Sequence, residues 1–214
     1  MSDPLDAIGA LHDPVRRAVY HHVVGQPEAV GRNDVAQALD IGRTLAAFHL
    51  DKLAAAGLLD VSYARRTGGP GAGRPAKLYR RSAAEHAVSL PPRSYLAAAK
   101  LLAAAVERAG ADAALQAAAR EHGESVGRQA KGVPTPAALL AALGYEPEVD
   151  GRVTRLRNCP FHALASDYPP LICGMNLAVV EGLLEGAGLT GCTARLDPRA
   201  EGCCVAIESK NKMR

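Results

Sequence analysis

The sequence has 214 residues, of which 48% are hydrophobic. This is enough for one large domain or two small ones, and it excludes a disordered chain. No run reaches the roughly 18 apolar residues of a membrane span, and residues 1–10 lack the basic segment and apolar run of a signal peptide, so we expect a cytoplasmic protein with no membrane association. The net charge is only +3, but residues 60–81 carry six Lys or Arg and one Asp, which favours contact with a phosphate backbone.

The first part of the chain carries signals for three helices followed by two strands. Asp13-Pro14 is typical of a helix start, and Gly25 marks its end. Its apolar positions would be Val15, Ala18, Val19, His22 and Val23. Further helices are expected at 33–39, capped by Asn33, and at 43–56, with Ala46, Leu50 and Leu53 facing inward and Gly57 as the stop. Strands at 58–64 and 76–81 would flank a Gly- and Pro-rich loop.

The runs TLAAFHLDKLAAAGLL (44–59) and GRPAKLYR (73–80) resemble the ArsR-type winged-helix regulators. The resemblance implies a winged helix-turn-helix over residues 1–85, with the third helix in the major groove of double-stranded DNA. Outward positions of that helix and the basic wing would then contact DNA. His49 has an alternative role, in which it packs against the scaffold. The candidate DNA contacts are Arg43, Thr44, Ala47, His49, Lys52, Arg65, Arg66, Arg74 and Lys77.

The second part of the chain changes character after Pro91-Pro92. Two Ala-rich helices at 93–109 and 111–130 make residues 91–131 a candidate dimerisation segment, with a core role as the alternative. Residues 132–214 then predict a separate α+β domain. Its expected elements are helices at 136–143, 161–166 and 170–187, a hairpin of 145–149 and 152–157 with Asp150-Gly151 as the turn, and strands at 192–196 and 203–208. The fold class is therefore α+β.

All five cysteines lie between residues 159 and 204. No C-x-x-C pair is present, so ligands would have to converge from separate elements. Cys159 is expected between a strand and a helix, and Cys173 in the first turn of the next helix, where free amides favour a thiolate. Cys203 should share the inward face of Val205 and Ile207, with Cys204 opposite unless a bulge exchanges them. His162 is a candidate fourth ligand.

The runs NCPFHALA (158–165), LICGMN (171–176) and ARLDP…GCCV (194–205) resemble the effector domain of ArsR-like regulators related to the iron–sulfur-assembly repressor SufR. The resemblance implies a homodimeric repressor whose operator affinity depends on a 4Fe-4S cluster held by Cys159, Cys173 and one of Cys203 or Cys204. Cys192 does not clearly belong to this pattern. Arg155, Arg157 and Arg195 would either offset the charge of the cluster or be ordinary strand exteriors.

Other interpretations of the same residues stay open. Zinc, haem or reversible thiol oxidation could use the same cysteines. A thiol-dependent enzyme would need a base, for which His162 or His122 is available. The sequence contains no phosphate loop, oxyanion loop or paired-carboxylate motif, so we do not expect an enzyme. Met175 and Asn176 are interpreted as helix packing and polar surface.

Overall fold

The structure, a computed structural model, describes residues 3–64, 75–199 and 202–210. It is a mixed α+β protein, which confirms the predicted fold class. The chain divides into two compact units, residues 1–93 and 94–214. Among the described residues, no helix is both long and apolar enough to cross a membrane.

Within the described residues of the first unit, four helices combine with a small antiparallel sheet in the strand order β1-β3-β2. All three predicted helices and both predicted strands are present, and helix α1 and the two-residue strand β1 are additions. The elements are α1 (Pro4–Ala10), α2 (Pro14–Val24), β1 (Val30–Gly31), α3 (Arg32–Ala38), α4 (Arg43–Ala55), β2 (Leu59–Tyr63) and β3 (Lys77–Arg81).

Local hydrogen bonds set the helix starts of this unit. Asp13 caps α2 as predicted, because its Oδ1 accepts from the backbone N of Arg16 at 2.9 Å. That hydrogen bond also lowers the pKa of Asp13. The predicted Asn33 cap is wrong. Gly31 precedes α3, and its N donates to Oδ2 of Asp34 at 2.8 Å, so the helix begins at Arg32.

The core of the first unit forms where α2, α3, α4 and the sheet meet. Ala46, Leu50 and Leu53 of α4 are fully buried, as predicted. Val15 and Ala18 of α2 are exposed, contrary to prediction, because the buried stripe of that helix comprises Val19 and Val23.

The second unit packs helices against an antiparallel sheet of order β4-β5-β7-β6. Asp150 pairs with Val153, so the two-residue turn is Gly151-Arg152, one position later than predicted. Gly151 has a φ of 62°, which glycine adopts readily. The elements are α5 (Tyr95–Ala109), α6 (Asp112–Gln129), α7 (Pro136–Ala142), β4 (Pro147–Asp150), β5 (Val153–Leu156), α8 (His162–Ala165), α9 (Pro169–Gly186), β6 (Cys192–Leu196) and β7 (Val205–Ser209).

Helices α6 and α9 pack backbone to backbone through four glycines. A Cβ added to Gly123 would lie 2.2 Å from the carbonyl O of Val179, and one added to Gly182 would lie 2.2 Å from the carbonyl O of Arg120. Gly127 and Gly186 are in comparably close contact. Helix α6, part of the predicted dimerisation segment, therefore packs within the same compact unit as the cysteines.

Candidate thiol site and candidate nucleic-acid interface

Four of the five cysteines come from three separate segments of the second unit. Cys159 lies in the loop between β5 and α8, and Cys203 and Cys204 lie just before β7. The N of Cys203 donates to the carbonyl O of Leu156 at 2.8 Å, which joins the Cys203 turn to the end of β5. Cys173 is the fifth residue of α9 and not in its first turn, so the predicted contact with free amides at the helix start is wrong.

These four thiols form one chain of contacts, which we call the thiol site. Cys159 hydrogen-bonds to Cys203, Cys203 also contacts Cys204, and Cys204 hydrogen-bonds to Cys173. Folding therefore brings together thiols that are up to 45 positions apart in the chain. The sequence left open which of Cys203 and Cys204 belongs to the site, and the structure includes both.

Cys203 is the acceptor of this network. The hydrogen bond from Cys159 lowers the pKa of Cys203 to about 6, although burial opposes the shift. The same bond raises the pKa of Cys159, and burial raises that of Cys204. The backbone N–H groups of Phe161 and Val205 donate to Cys159 and Cys203 respectively. The contacts thus favour the ionised form of Cys203 over the ionised forms of Cys159 and Cys204.

A buried amide completes the site. Nδ2 of Asn176 donates to Sγ of Cys203 at 3.1 Å, and Oδ1 of Asn176 accepts from the hydroxyl of Tyr145 at 2.6 Å. Asn176 is 0% exposed, so its interpretation as polar surface is wrong. A signal was present in the sequence: Asn176 follows Cys173 by three residues, and that spacing places both on one side of a helix.

Two predicted ligands lie apart from the thiol site. Cys192 pairs with Ser209 at the far end of β6, four strand positions from the Leu196–Val205 pair, which is roughly 13 Å. The side chain of His162 is exposed, and the described contacts of the four thiols do not include it.

The three arginines that were considered as charge partners of a cluster pair with carboxylates. Asp197 lies 3.6 Å from Arg155 and 3.4 Å from Arg195. Arg157 lies 3.8 Å from Glu146. These contacts favour the interpretation of the arginines as strand exteriors.

By their chemistry, the four thiols are possible ligands of a soft metal ion or of an iron–sulfur cluster. Within the part of the chain that the structure describes, no group of three or more His, Cys, Asp or Glu side chains is arranged to hold a metal ion. Thiols in mutual contact would have to separate to bind a cluster, which is larger than one ion. The donor set itself fits, because it offers four thiols with amide N–H groups directed at two sulfurs.

In the first unit, the exposed side of α4 carries four of the nine predicted DNA contacts. Arg43, Thr44 and Lys52 are exposed and Ala47 is half-buried. His49 does not share this side. It is 4% exposed, and its Nδ1 accepts from Nε of Arg16 at 3.4 Å, so its prediction as a DNA contact is wrong.

Strand β3 contributes a further basic side chain, Lys77, which forms an ion pair with Asp51 of α4. Nζ of Lys77 lies 2.8 Å from Oδ1 of Asp51, which also accepts from the hydroxyl of Tyr79 at 2.8 Å. The bond from Lys77 lowers the pKa of Asp51. Because the Asp51–Lys77 pair is exposed, exchanging the carboxylate for a phosphate would cost little. The predicted wing residues Arg65, Arg66 and Arg74 lie outside the described residues.

Neither the models of known protein families nor the curated proteins give a match to this chain.

Proposed function

We propose that this chain is a DNA-binding transcriptional repressor, with a winged helix-turn-helix in its first unit and a thiol-based sensor in its second. Three features support the DNA-binding part: the helix order α2–α3–α4, the antiparallel pair β2–β3 that follows, and the exposed cations of α4. In this proposal Arg43 and Lys52 contact DNA, and Lys77 exchanges Asp51 for a phosphate.

The observation that carries the sensor proposal is the convergence of four thiols on one network. We propose that Cys159, Cys173, Cys203 and Cys204 hold an iron–sulfur cluster of the 4Fe-4S type. When bound, such a cluster supplies a redox-active centre. As ligands, the thiols would keep the N–H groups that donate to them. They would separate from one another to make room for the cluster.

The proposed route from sensor to DNA passes through α9. This helix carries Cys173 and Asn176 near its start and packs on α6 through glycines further along. Because the two backbones are in contact, a shift of Cys173 moves both helices together. A coupling of about 1–3 kcal/mol would suffice to alter operator affinity several-fold.

We propose that the protein binds two half-sites on one DNA duplex, which requires a homodimer with one winged helix for each half-site. Helix α5 offers the surface. Tyr95, Leu101 and Leu102 are 74%, 71% and 68% exposed. Tyr95 and Leu102 are seven positions apart and lie on one side of the helix, and Leu101 is adjacent to Leu102. Several large exposed apolar side chains on one helix are typical of a protein interface, and we assign this one to a second copy of this chain.

The sensor proposal is tested by anaerobic purification followed by iron, sulfide and zinc analysis. Wild type should be brown and contain iron and sulfide. Cys159→Ser and Cys203→Ser should lose most of both, whereas Cys192→Ser, the matched control, should keep them. Equal loss in all three variants, or a colourless wild type without iron, would contradict the proposal. A colourless protein with bound zinc would instead favour the zinc alternative.

The DNA-binding proposal is tested by salt titration with short duplexes selected from a random library. Affinity should fall steeply with salt, and Arg43→Gln should reduce the slope by about one phosphate contact per protomer. Arg152→Gln removes an exposed cation from the turn of the second unit and should leave the slope unchanged. A flat salt dependence, or equal effects of the two variants, would refute this assignment.

A further inference from the structure

We propose that Asn176 is the positioning residue of the thiol site and that Tyr145 holds its amide in the working orientation. This inference rests on the proposed function and deepens it, because it assigns roles to two residues that are not themselves ligands.

The orientation of the amide follows from its two partners. Cys203 accepts hydrogen bonds from Cys159, from Cys204 and from the N–H of Val205. Oδ1 of Asn176 turned toward this sulfur would place one acceptor against another. The hydroxyl of Tyr145 donates to Oδ1 at 2.6 Å and thereby keeps Nδ2 directed at Sγ.

The burial of Asn176 makes simple packing an insufficient explanation. An uncompensated amide in a dry interior costs free energy that an apolar side chain would avoid. Asn176 is fully buried among apolar residues of α9, including Ile172 and Val180, yet both ends of its amide are satisfied. Such a polar link specifies one arrangement of the elements that it joins.

The hydrogen bonds of Asn176 join the segments that would have to move when the thiol site binds a cluster. Asn176 belongs to α9, Cys203 to the turn before β7, and Tyr145 to the segment between α7 and β4. The amide therefore fixes the distance between α9, which carries Cys173, and the Cys203 turn. Its N–H also stabilises negative charge on the sulfur, which raises the reduction potential of a cluster bound through that sulfur.

The double variant is chosen so that no buried amide is left without its partner, whereas Tyr145→Phe alone removes the donor to Oδ1 of Asn176. The double variant Tyr145→Phe/Asn176→Leu removes the hydroxyl and the amide together, which is far less disruptive than removing one partner. Tyr145→Phe alone keeps the amide but frees its orientation. Met175→Leu is the control, since it changes the neighbouring residue of α9, which packs in a different cluster.

Two measurements decide the proposal. In metal-free, reduced, full-length protein, mass spectrometry follows alkylation of Cys203 relative to Cys192, a reference thiol outside the site. At pH 5, below the pKa of Cys203, the ratio should fall about fivefold in the double variant, because losing the N–H of Asn176 destabilises the thiolate that is alkylated, and it should fall by less in Tyr145→Phe. In cluster-loaded protein, the midpoint potential should become more negative in the same order, and Met175→Leu should match wild type in both measurements.

An unchanged labelling ratio in a folded double variant would overturn the proposal. If the double variant does not fold, an unchanged labelling ratio in Tyr145→Phe would also overturn the proposal. A wild type that binds no cluster would refute the proposed cofactor, but the labelling measurement would still decide the role of Asn176.

Discussion

Replacing Gly182 by alanine tests the backbone contact between α6 and α9. The new Cβ would lie 2.2 Å from the carbonyl O of Arg120 and 2.9 Å from the N of Glu124. Cβ atoms essentially never approach other heavy atoms within 3.0 Å, so the two helices would have to separate by about 1 Å. Because both obstructing atoms belong to the backbone, no side chain can turn away to relieve the contact.

The expected loss of stability is the difference between two effects. Overpacking a tight interior costs typically 1–3 kcal/mol, and the rigid neighbours here place Gly182→Ala at the upper end. Alanine gains about 1 kcal/mol over glycine in a helix. The net loss should be about 2 kcal/mol, equivalent to a fall of roughly 8 °C in the melting temperature of a unit of this size.

Circular dichroism melting of the full chain measures this loss, and Gly174→Ala is the matched control on the same helix. A Cβ at Gly174 would meet the end of the flexible Gln116 side chain, with Nε2 at 2.8 Å and Cδ at 3.6 Å, and no backbone atom is among these contacts. That variant should melt at or slightly above the wild-type temperature. Equal melting of Gly182→Ala and Gly174→Ala would refute the backbone contact and the coupling that we derive from it.

Three further predictions follow from the structure. His49→Ala should lower the free energy of unfolding by about 1–2 kcal/mol, because His49 is buried and bonded to Arg16, but should leave DNA affinity unchanged in a binding titration. Leu101→Glu should convert a dimer to a folded monomer in sedimentation analysis, whereas Ala113→Glu, at an exposed position of α6, should not. Ultraviolet titration should find two phenols, Tyr79 and Tyr145, that ionise only well above pH 10, since burial raises both pKa values. Their contribution to stability is complete below pH 10 and is lost as the pH rises further, and Tyr79→Phe should remove one of the two late steps.

The sequence predicted most elements because their signals are local. Asp13-Pro14 begins α2, the inward residues of α4 follow helical spacing, and strand β6 begins and ends at the predicted residues. It failed at α3, where Asp34 caps the helix from within, and it did not predict β1, which is too short to carry a periodic pattern.

The membership of the thiol site was predictable only in part. The five cysteines are confined to one region, and the sequence indicated Cys159, Cys173 and one of Cys203 or Cys204 as members, but spacing alone could not exclude Cys192. That exclusion depends on which end of a β-strand each residue occupies, which is set by strand register.

The sequence by itself determined the α+β fold class, most of the order of helices and strands, and the residue types available for chemistry. These features depend on neighbours along the chain. Only the tertiary structure decided that His49 turns inward, that Asn176 is buried against Cys203, and that four glycines bring α6 and α9 into contact. Each of these outcomes depends on a partner more than 25 positions away. Contacts between residues so far apart arise from the packing of whole elements and leave no periodic trace in either segment alone.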